Sequence, residues 1–166
     1  RTVVVSSISK SHAAPGFRSG WCAWPAEFCA RLQPISETML FGGQPFIADR
    51  TTLALTRPTG TSALMRANYL NRATRVSSAL ADTPGVVPLM PEAGMFILID
   101  IAGTGLDGAA FAWGLLEEEG VAVMPGSSFG YQAKNLIRAS LTVPDDKLDE
   151  ACRRIRAFAS RQEHAA

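Results

Sequence analysis

The first apolar run, Thr2-Val3-Val4-Val5, is short and β-branched. That pattern predicts a strand buried on both faces, as in a parallel sheet. A polar stretch from Ser6 to His12 follows, with a turn at Pro15-Gly16 and a second apolar stretch over 21–24. Residues 25–32 predict a short helix. Pro45, behind Gly42-Gly43-Gln44, suits a first helical position, where the missing N–H costs nothing. Met65, Tyr69, Val76 and Leu80 recur at helical spacing and predict a long helix over about 61–81, with Arg66, Arg72 and Arg75 on its other faces. Pro84-Gly85 ends it. The second half reads strand, helix, strand, strand, helix. Strands are predicted over 95–101, 121–123 and 136–141. Asp107 caps a helix that runs to about 119, with Phe111 and Leu115 facing inward and Gly120 as its stop. Asp145 or Asp146 caps the last helix. Leu148, Cys152, Ile155 and Ala159 share one face of it, and Arg153, Arg154, Arg156 and Arg161 form its solvated side. The fold class is therefore α/β, with no internal repeat.

A boundary is expected near 58–60, just before the long helix, and divides 1–60 from 61–166. Parallel strands need neighbours that arrive by crossover connections. None precedes the first strand, and position 1 is Arg rather than Met. The chain is thus expected to be the C-terminal part of a longer one. Hydrophobic residues make up 47% of its 166 positions, enough for one sizeable core. Sixteen Lys and Arg against fifteen Asp and Glu give a formal charge of +1, which gives no support to nucleic-acid or membrane-surface binding. The longest apolar run, 95–99, is far too short to span a bilayer. No signal-peptide pattern is visible. Cys22, Cys29 and Cys152 contain no CxxC spacing, which argues against a disulfide framework and a structural zinc site. Cys22 and Cys29 are read as core thiols, and His164 as part of a frayed tail. A soluble, cytoplasmic protein is expected.

The most informative stretch is Ser7-Ile8-Ser9-Lys10, with Arg18 eight residues beyond the lysine. It follows a predicted parallel strand, and open α/β sheets place ligands at the carboxyl ends of their strands. Apolar surroundings favour the neutral form of a lysine, which attacks carbonyl carbons. Hydroxyls and an arginine close by suit a phosphate. These residues could therefore hold a phosphorylated aldehyde with Lys10 as its imine partner, a description that pyridoxal phosphate fits. On the residues alone, a serine-rich loop with a surface lysine remains the alternative.

The Ser-x-Ser-Lys motif with Arg18 and Gly20-Trp21 resembles the cofactor-lysine motif of fold type I pyridoxal-phosphate-dependent aminotransferases, the aspartate aminotransferase superfamily, class I/II. Pro91-Glu92-Ala93-Gly94-Met95-Phe96 follows in that family's order and spacing. So do the stretch from Leu115 through Pro125-Gly126, then Phe129-Gly130, then Ile137-Arg138. The resemblance covers essentially the whole chain. Within the family, Leu40-Phe41-Gly42-Gly43-Gln44-Pro45-Phe46 and Ala93-Gly94-Met95-Phe96 are similar to bacterial arginine–pyruvate transaminase-like members.

The resemblance implies the end of a large parallel-sheet cofactor domain over 1–60. It implies a small α/β C-terminal domain over 61–166 that includes the long interdomain helix. It implies amino-group transfer between an amino acid and a 2-oxo acid, with pyridoxal 5'-phosphate as cofactor, in a homodimer, with no metal. Lys10 matches the lysine that bonds the cofactor and later shuttles a proton. Ser7 and Arg18 match phosphate ligands, with Ser9 close to them. Arg138 matches the arginine that grips the substrate α-carboxylate. Strand alternation agrees, since Ile137, Ala139 and Leu141 point one way and Arg138 and Ser140 the other. An internal salt bridge is the other reading of Arg138. Gly126 and Phe129 are expected to line the small-domain side of the cleft. Gly94 serves either a close backbone approach or a plain turn. His12 is expected to pack rather than catalyse. Full members are more than twice this length. Their glycine-rich phosphate turn, ring-stacking aromatic, Asn, pyridinium Asp and O3′ Tyr have no counterpart here. A β-lyase on the same scaffold and a non-catalytic folded fragment are the rival readings.

Overall fold

The computed structural model describes residues 2–57 and 60–162. Pro58 and Thr59, within the expected boundary, and His164 lie outside the described residues. The chain divides into two compact units, Arg1–Met65 and Arg66–Ala166.

In the first unit, β1 (Val4–Ser7) pairs antiparallel with β2 (Gly20–Ala23), Val4 opposite Ala23 and Ser7 opposite Gly20. The connection is only the single turn α1 (Ile8–Ser11) and a 3-10 turn at Pro15–Phe17, which reverse the chain without a crossover helix. Within this unit Val3, Val4 and Val5 are 57%, 52% and 73% exposed. The helix expected over 25–32 is longer: α2 (Ala26–Leu40) continues through Pro34. Gln33 Nε2 donates to Glu37 Oε1 at 2.8 Å and Thr38 Oγ1 to the Pro34 carbonyl at 2.8 Å, so side-chain bonds span the turn around the proline. α3 (Pro45–Thr56) starts on Pro45, as the sequence predicts. Among the described residues of this unit, Ile8 is the one buried apolar side chain. Phe41, Phe46, Leu40 and Met39 all stand exposed.

α4 (Thr61–Leu80) matches the long predicted helix, and its later residues Ala73, Val76 and Leu80 enter the core of the second unit. There, β3 (Val87–Leu89), β4 (Phe96–Asp100), β6 (Leu136–Ser140) and β5 (Met124–Pro125) form an antiparallel sheet in the order β3-β4-β6-β5. Ile97, Ile99 and Ile137 point to the core from one face. β3 escaped the sequence reading, because three residues centred on Pro88 carry no alternation to detect. The strand expected over 121–123 lies instead at β5, one step later. Val121 and Val123 pack against the core without joining the ladder.

α5 (Gly108–Glu119) begins and ends as predicted. Asp107 Oδ1 accepts the Ala109 and Ala110 N–H groups at 3.0 and 2.8 Å, and Gly120 closes the helix in the left-handed region at φ 66°. α6 (Asp145–Gln162) buries Leu148, Cys152, Ile155 and Ala159 as expected, together with Phe158. The Phe158 ring meets Phe111 edge to face at 5.0 Å. The arginines of α6 are more than a solvated side. Arg154 donates to the Glu119 carbonyl at 2.6 Å, Arg156 to the Ala79 carbonyl at 2.8 Å, and Arg161 to Glu118 and Glu119. Two of these bonds end on carbonyls in the last turns of α5 and α4, which have no acceptor role left inside their helices.

Candidate functional site

Four of the five expected site residues sit together in the first unit, on the connection between β1 and β2. Ser7 is the last residue of β1 and the N-cap of α1, its Oγ accepting the Ser9 N–H at 3.3 Å. Gly20 lies opposite Ser7, and a Cβ there would stand 2.9 Å from the Ser6 carbonyl and 3.2 Å from the Ser7 Cβ. A glycine is what lets β2 run this close to the serine. The Ile8 N–H donates to the Ser19 carbonyl at 3.3 Å and closes the base of the loop. Two hydroxyl bonds then tie the loop to helices. Ser19 Oγ and Thr51 Oγ1 are 2.7 Å apart, and Ser62 Oγ donates to the Ser11 carbonyl at 2.7 Å. These ties were not legible in the sequence, since their partners lie 32 and 51 residues away.

Lys10 projects from α1 and is exposed, so the apolar surroundings expected for it are not supplied within its unit. No described residue accepts a hydrogen bond from its ammonium or pairs with it. Arg18 is also exposed, in the left-handed region at φ 51°, with Nη1 donating to the Pro15 carbonyl at 3.0 Å. The remaining N–H groups of that guanidinium have no protein acceptor among the described residues. The first acidic residue of the chain is Glu27, so positions 1–26 hold lysine and arginine with no carboxylate to neutralise them. Serine hydroxyls, an ammonium and a planar guanidinium on one short loop, without an internal counter-ion, form a donor set for an anion such as phosphate.

Arg138 lies in the second unit, on the central strand β6, with Leu98 of β4 on one side and Met124 of β5 on the other. Ile137 and Leu141 are buried and Arg138 takes the opposite face, as the alternation predicts. Among the described residues no carboxylate pairs with it. Its Cζ instead lies over two rings, 4.1 Å from the Phe96 centroid and 4.3 Å from that of Phe129. The sequence reading noted Phe129 without this contact and missed Phe96, whose place beside Arg138 depends on a β4–β6 register that sequence spacing does not reveal.

His12 is half-buried, its Nδ1 2.8 Å from Ser11 Oγ, whose hydroxyl donates to the Ser7 carbonyl at 3.1 Å. It steadies the end of α1. Cys22 and Cys29 are exposed rather than core thiols, because β2 and α2 have no packed layer over them within the unit. Cys152 is buried, and burial pushes its thiol up to about 11. Gly94 is a turn glycine at φ 96° with open space around it, so no backbone approaches there. Gly126 is buried, and a Cβ on it would overlap the Ala133 and Leu136 carbonyls.

The chain matches the model of the family "aminotransferase class I and II" over residues 1–155. It is 44% identical over 155 residues to an arginine–pyruvate transaminase of Pseudomonas aeruginosa, covering 93% of this chain and 39% of that protein. It is 34% identical to an aspartate/prephenate aminotransferase of Cereibacter sphaeroides, covering 95% of this chain and 42% of the relative. The solved structure of an aromatic aminotransferase from Pyrococcus horikoshii aligns with a TM-score of 0.91 at 28% identity, over 98% of this chain and 44% of that one. The chain thus spans about two fifths of the length of these relatives. A family match over nearly the whole sequence, joined to an acid-free lysine loop and an unpaired strand arginine, carries one conclusion: the chain belongs to the class I and II aminotransferases.

Proposed function

We propose that this chain supplies the lysine, phosphate-side and substrate-carboxylate residues of a pyridoxal-phosphate-dependent aminotransferase that moves an amino group between an amino acid and a 2-oxo acid. The observation that carries the reading is the loop between β1 and β2. Ser7, Ser9, Lys10 and Arg18 gather there with no carboxylate before Glu27. The donor set fits the cofactor: hydroxyls and a guanidinium for phosphate oxygens, and a primary amine without a protein partner for an aldehyde carbon. When bound, pyridoxal phosphate supplies an electron-withdrawing ring that makes the Cα–H of an attached amino acid acidic.

The chain's own residues then divide the work. Ser7 Oγ, Ser9 Oγ and Arg18 hold the phosphate and fix the position of the ring. Lys10 would supply Nζ as the amine that replaces the cofactor's aldehyde oxygen, lost as water, and when free that amine would hold and move a proton. Arg138 clamps the substrate α-carboxylate through its planar fork and orients the Cα. Residues 1–60 are assigned to the large cofactor domain and 61–166 to the small one. A homodimer is supported by the exposed apolar side chains of the first unit, Val3, Val5, Phe41 and Phe46 among them. A reducing, cytoplasmic setting is supported by three unpaired cysteines. Among the described residues no helix is long and apolar enough to cross a membrane. The 44% identity to an arginine–pyruvate transaminase supports a basic amino acid as donor and pyruvate as acceptor.

The test uses a protein that carries this segment together with the remaining length of the relatives. Lys10→Ala abolishes amino transfer and the visible absorbance of bound cofactor, while the parent transfers the amino group of arginine only when a 2-oxo acid is present. Release of pyruvate from cystathionine without an oxo acid would instead favour a β-lyase.

A further inference from the structure

We propose that Phe96 and Phe129 are positioning residues for Arg138, holding its guanidinium so that the in-plane N–H edge alone is offered to a carboxylate. The inference rests on the substrate-binding role proposed above for Arg138. Three observations carry it. First, the guanidinium carbon lies over both rings, at 4.1 and 4.3 Å, and no described residue accepts a hydrogen bond from that guanidinium. Second, neither ring belongs to the apolar core, and Phe129 is 54% exposed. Core packing therefore does not account for the two aromatic side chains. Third, both rings are fixed relative to the strand that carries the arginine. Phe96 pairs with Ser140, and Leu98 with Arg138, so Phe96 is the diagonal neighbour of the arginine on the sheet face opposite Ile97 and Ile137. Phe129 ends the 3-10 turn Gly126–Phe129, and Gly126 packs against the carbonyl of Leu136, on the same strand as Arg138.

A long, unpaired arginine loses rotamer freedom when it binds. Contact with the two rings removes part of that freedom beforehand, because the ring faces attract the cation and keep water from the side they cover. The N–H groups lie in the guanidinium plane and stay free. A planar carboxylate meets two of them at once.

The experiment uses a protein that carries this segment together with the remaining length of the relatives, and follows the Arg138 Nε–H by NMR, identified by its loss in Arg138→Lys. Acetate is the probe. In the wild-type chain the resonance is displaced by ring currents and moves further as acetate is added. Phe96→Leu and Phe129→Leu each reduce that displacement and weaken acetate binding about two- to fivefold. Phe129→Tyr keeps both, although Leu and Tyr variants melt at similar temperatures. Unchanged acetate binding in Phe129→Leu, or a Tyr variant as weak as the Leu variant, overturns the positioning role and leaves the Arg138 assignment standing. A displaced resonance that ignores acetate in the wild-type chain overturns that assignment, and the carboxylate proposal with it.

Discussion

Arg138→Lys separates charge from shape at a single position. A lysine keeps the positive charge but presents a point rather than a planar fork, so the two-bond clamp is lost. In the assembled enzyme, kcat/KM for an α-amino acid is expected to fall by roughly 2–4 kcal/mol in transition-state stabilisation while the cofactor stays bound. Steady-state kinetics with absorbance of the bound cofactor check this, and an unchanged kcat/KM would confine Arg138 to the fold. At this scale the sequence was informative where chemistry is local. Ser7, Ser9, Lys10 and Arg18 fall within twelve residues, so their meeting needs no tertiary knowledge. The face that Arg138 takes was legible by alternation, but its two ring partners were not, because Phe96 reaches it across a strand pair. The exposure of Lys10 was not legible either. Burial depends on what lies over the loop, and residues of the same segment do not report that.

Among the elements, α5 and α6 carry separate tests. Asp107 satisfies two N–H groups at the start of α5, so Asp107→Ala is expected to cost about 1 kcal/mol of stability in denaturant unfolding. On α6, hydrogen bonds from Arg153 and then Arg154 hold the Glu150 carboxyl down to about 2, against an ordinary value of 4.5. The folded value lies below the ordinary one, so the stabilisation is complete above about pH 4.5 and is lost as the pH falls through about 2. Glu150→Gln is expected to flatten the fall of melting temperature across that window, and parallel curves for the two proteins would contradict it. Both helices were readable, because caps and apolar spacing are written in consecutive residues. β3 and β5 were not. Strands of three and two residues are fixed by their ladder partners, and 121–123 has strand composition without a partner to pair with. The helix expected over 25–32 runs on to Leu40, because the surrounding helix accommodates Pro34, a residue that disfavours a helix interior.

For the molecule as a whole, the two units differ in what they bury. The second has a continuous core from Ala73 to Ala159, whereas Ile8 is the one buried apolar side chain described in the first. A unit that exposes Val3, Val4, Val5, Phe41 and Phe46 invites association. The 166-residue chain alone is therefore expected to self-associate in gel filtration and to lack amino transfer. A monodisperse monomer that binds cofactor tightly and turns over would contradict that expectation. The antiparallel β1–β2 pairing was missed because a β-branched run states strand character but not direction. The assignment of Lys10 has the most direct test, since the chain has three lysines, Lys10, Lys134 and Lys147. Limiting pyridoxal phosphate is added, the mixture is reduced with borohydride, and the peptides are mapped by mass spectrometry. The account predicts that the label lies on the peptide containing Lys10, with Lys134 and Lys147 largely unmodified. Label shared equally among the three lysines, or concentrated on either of the others, would contradict it.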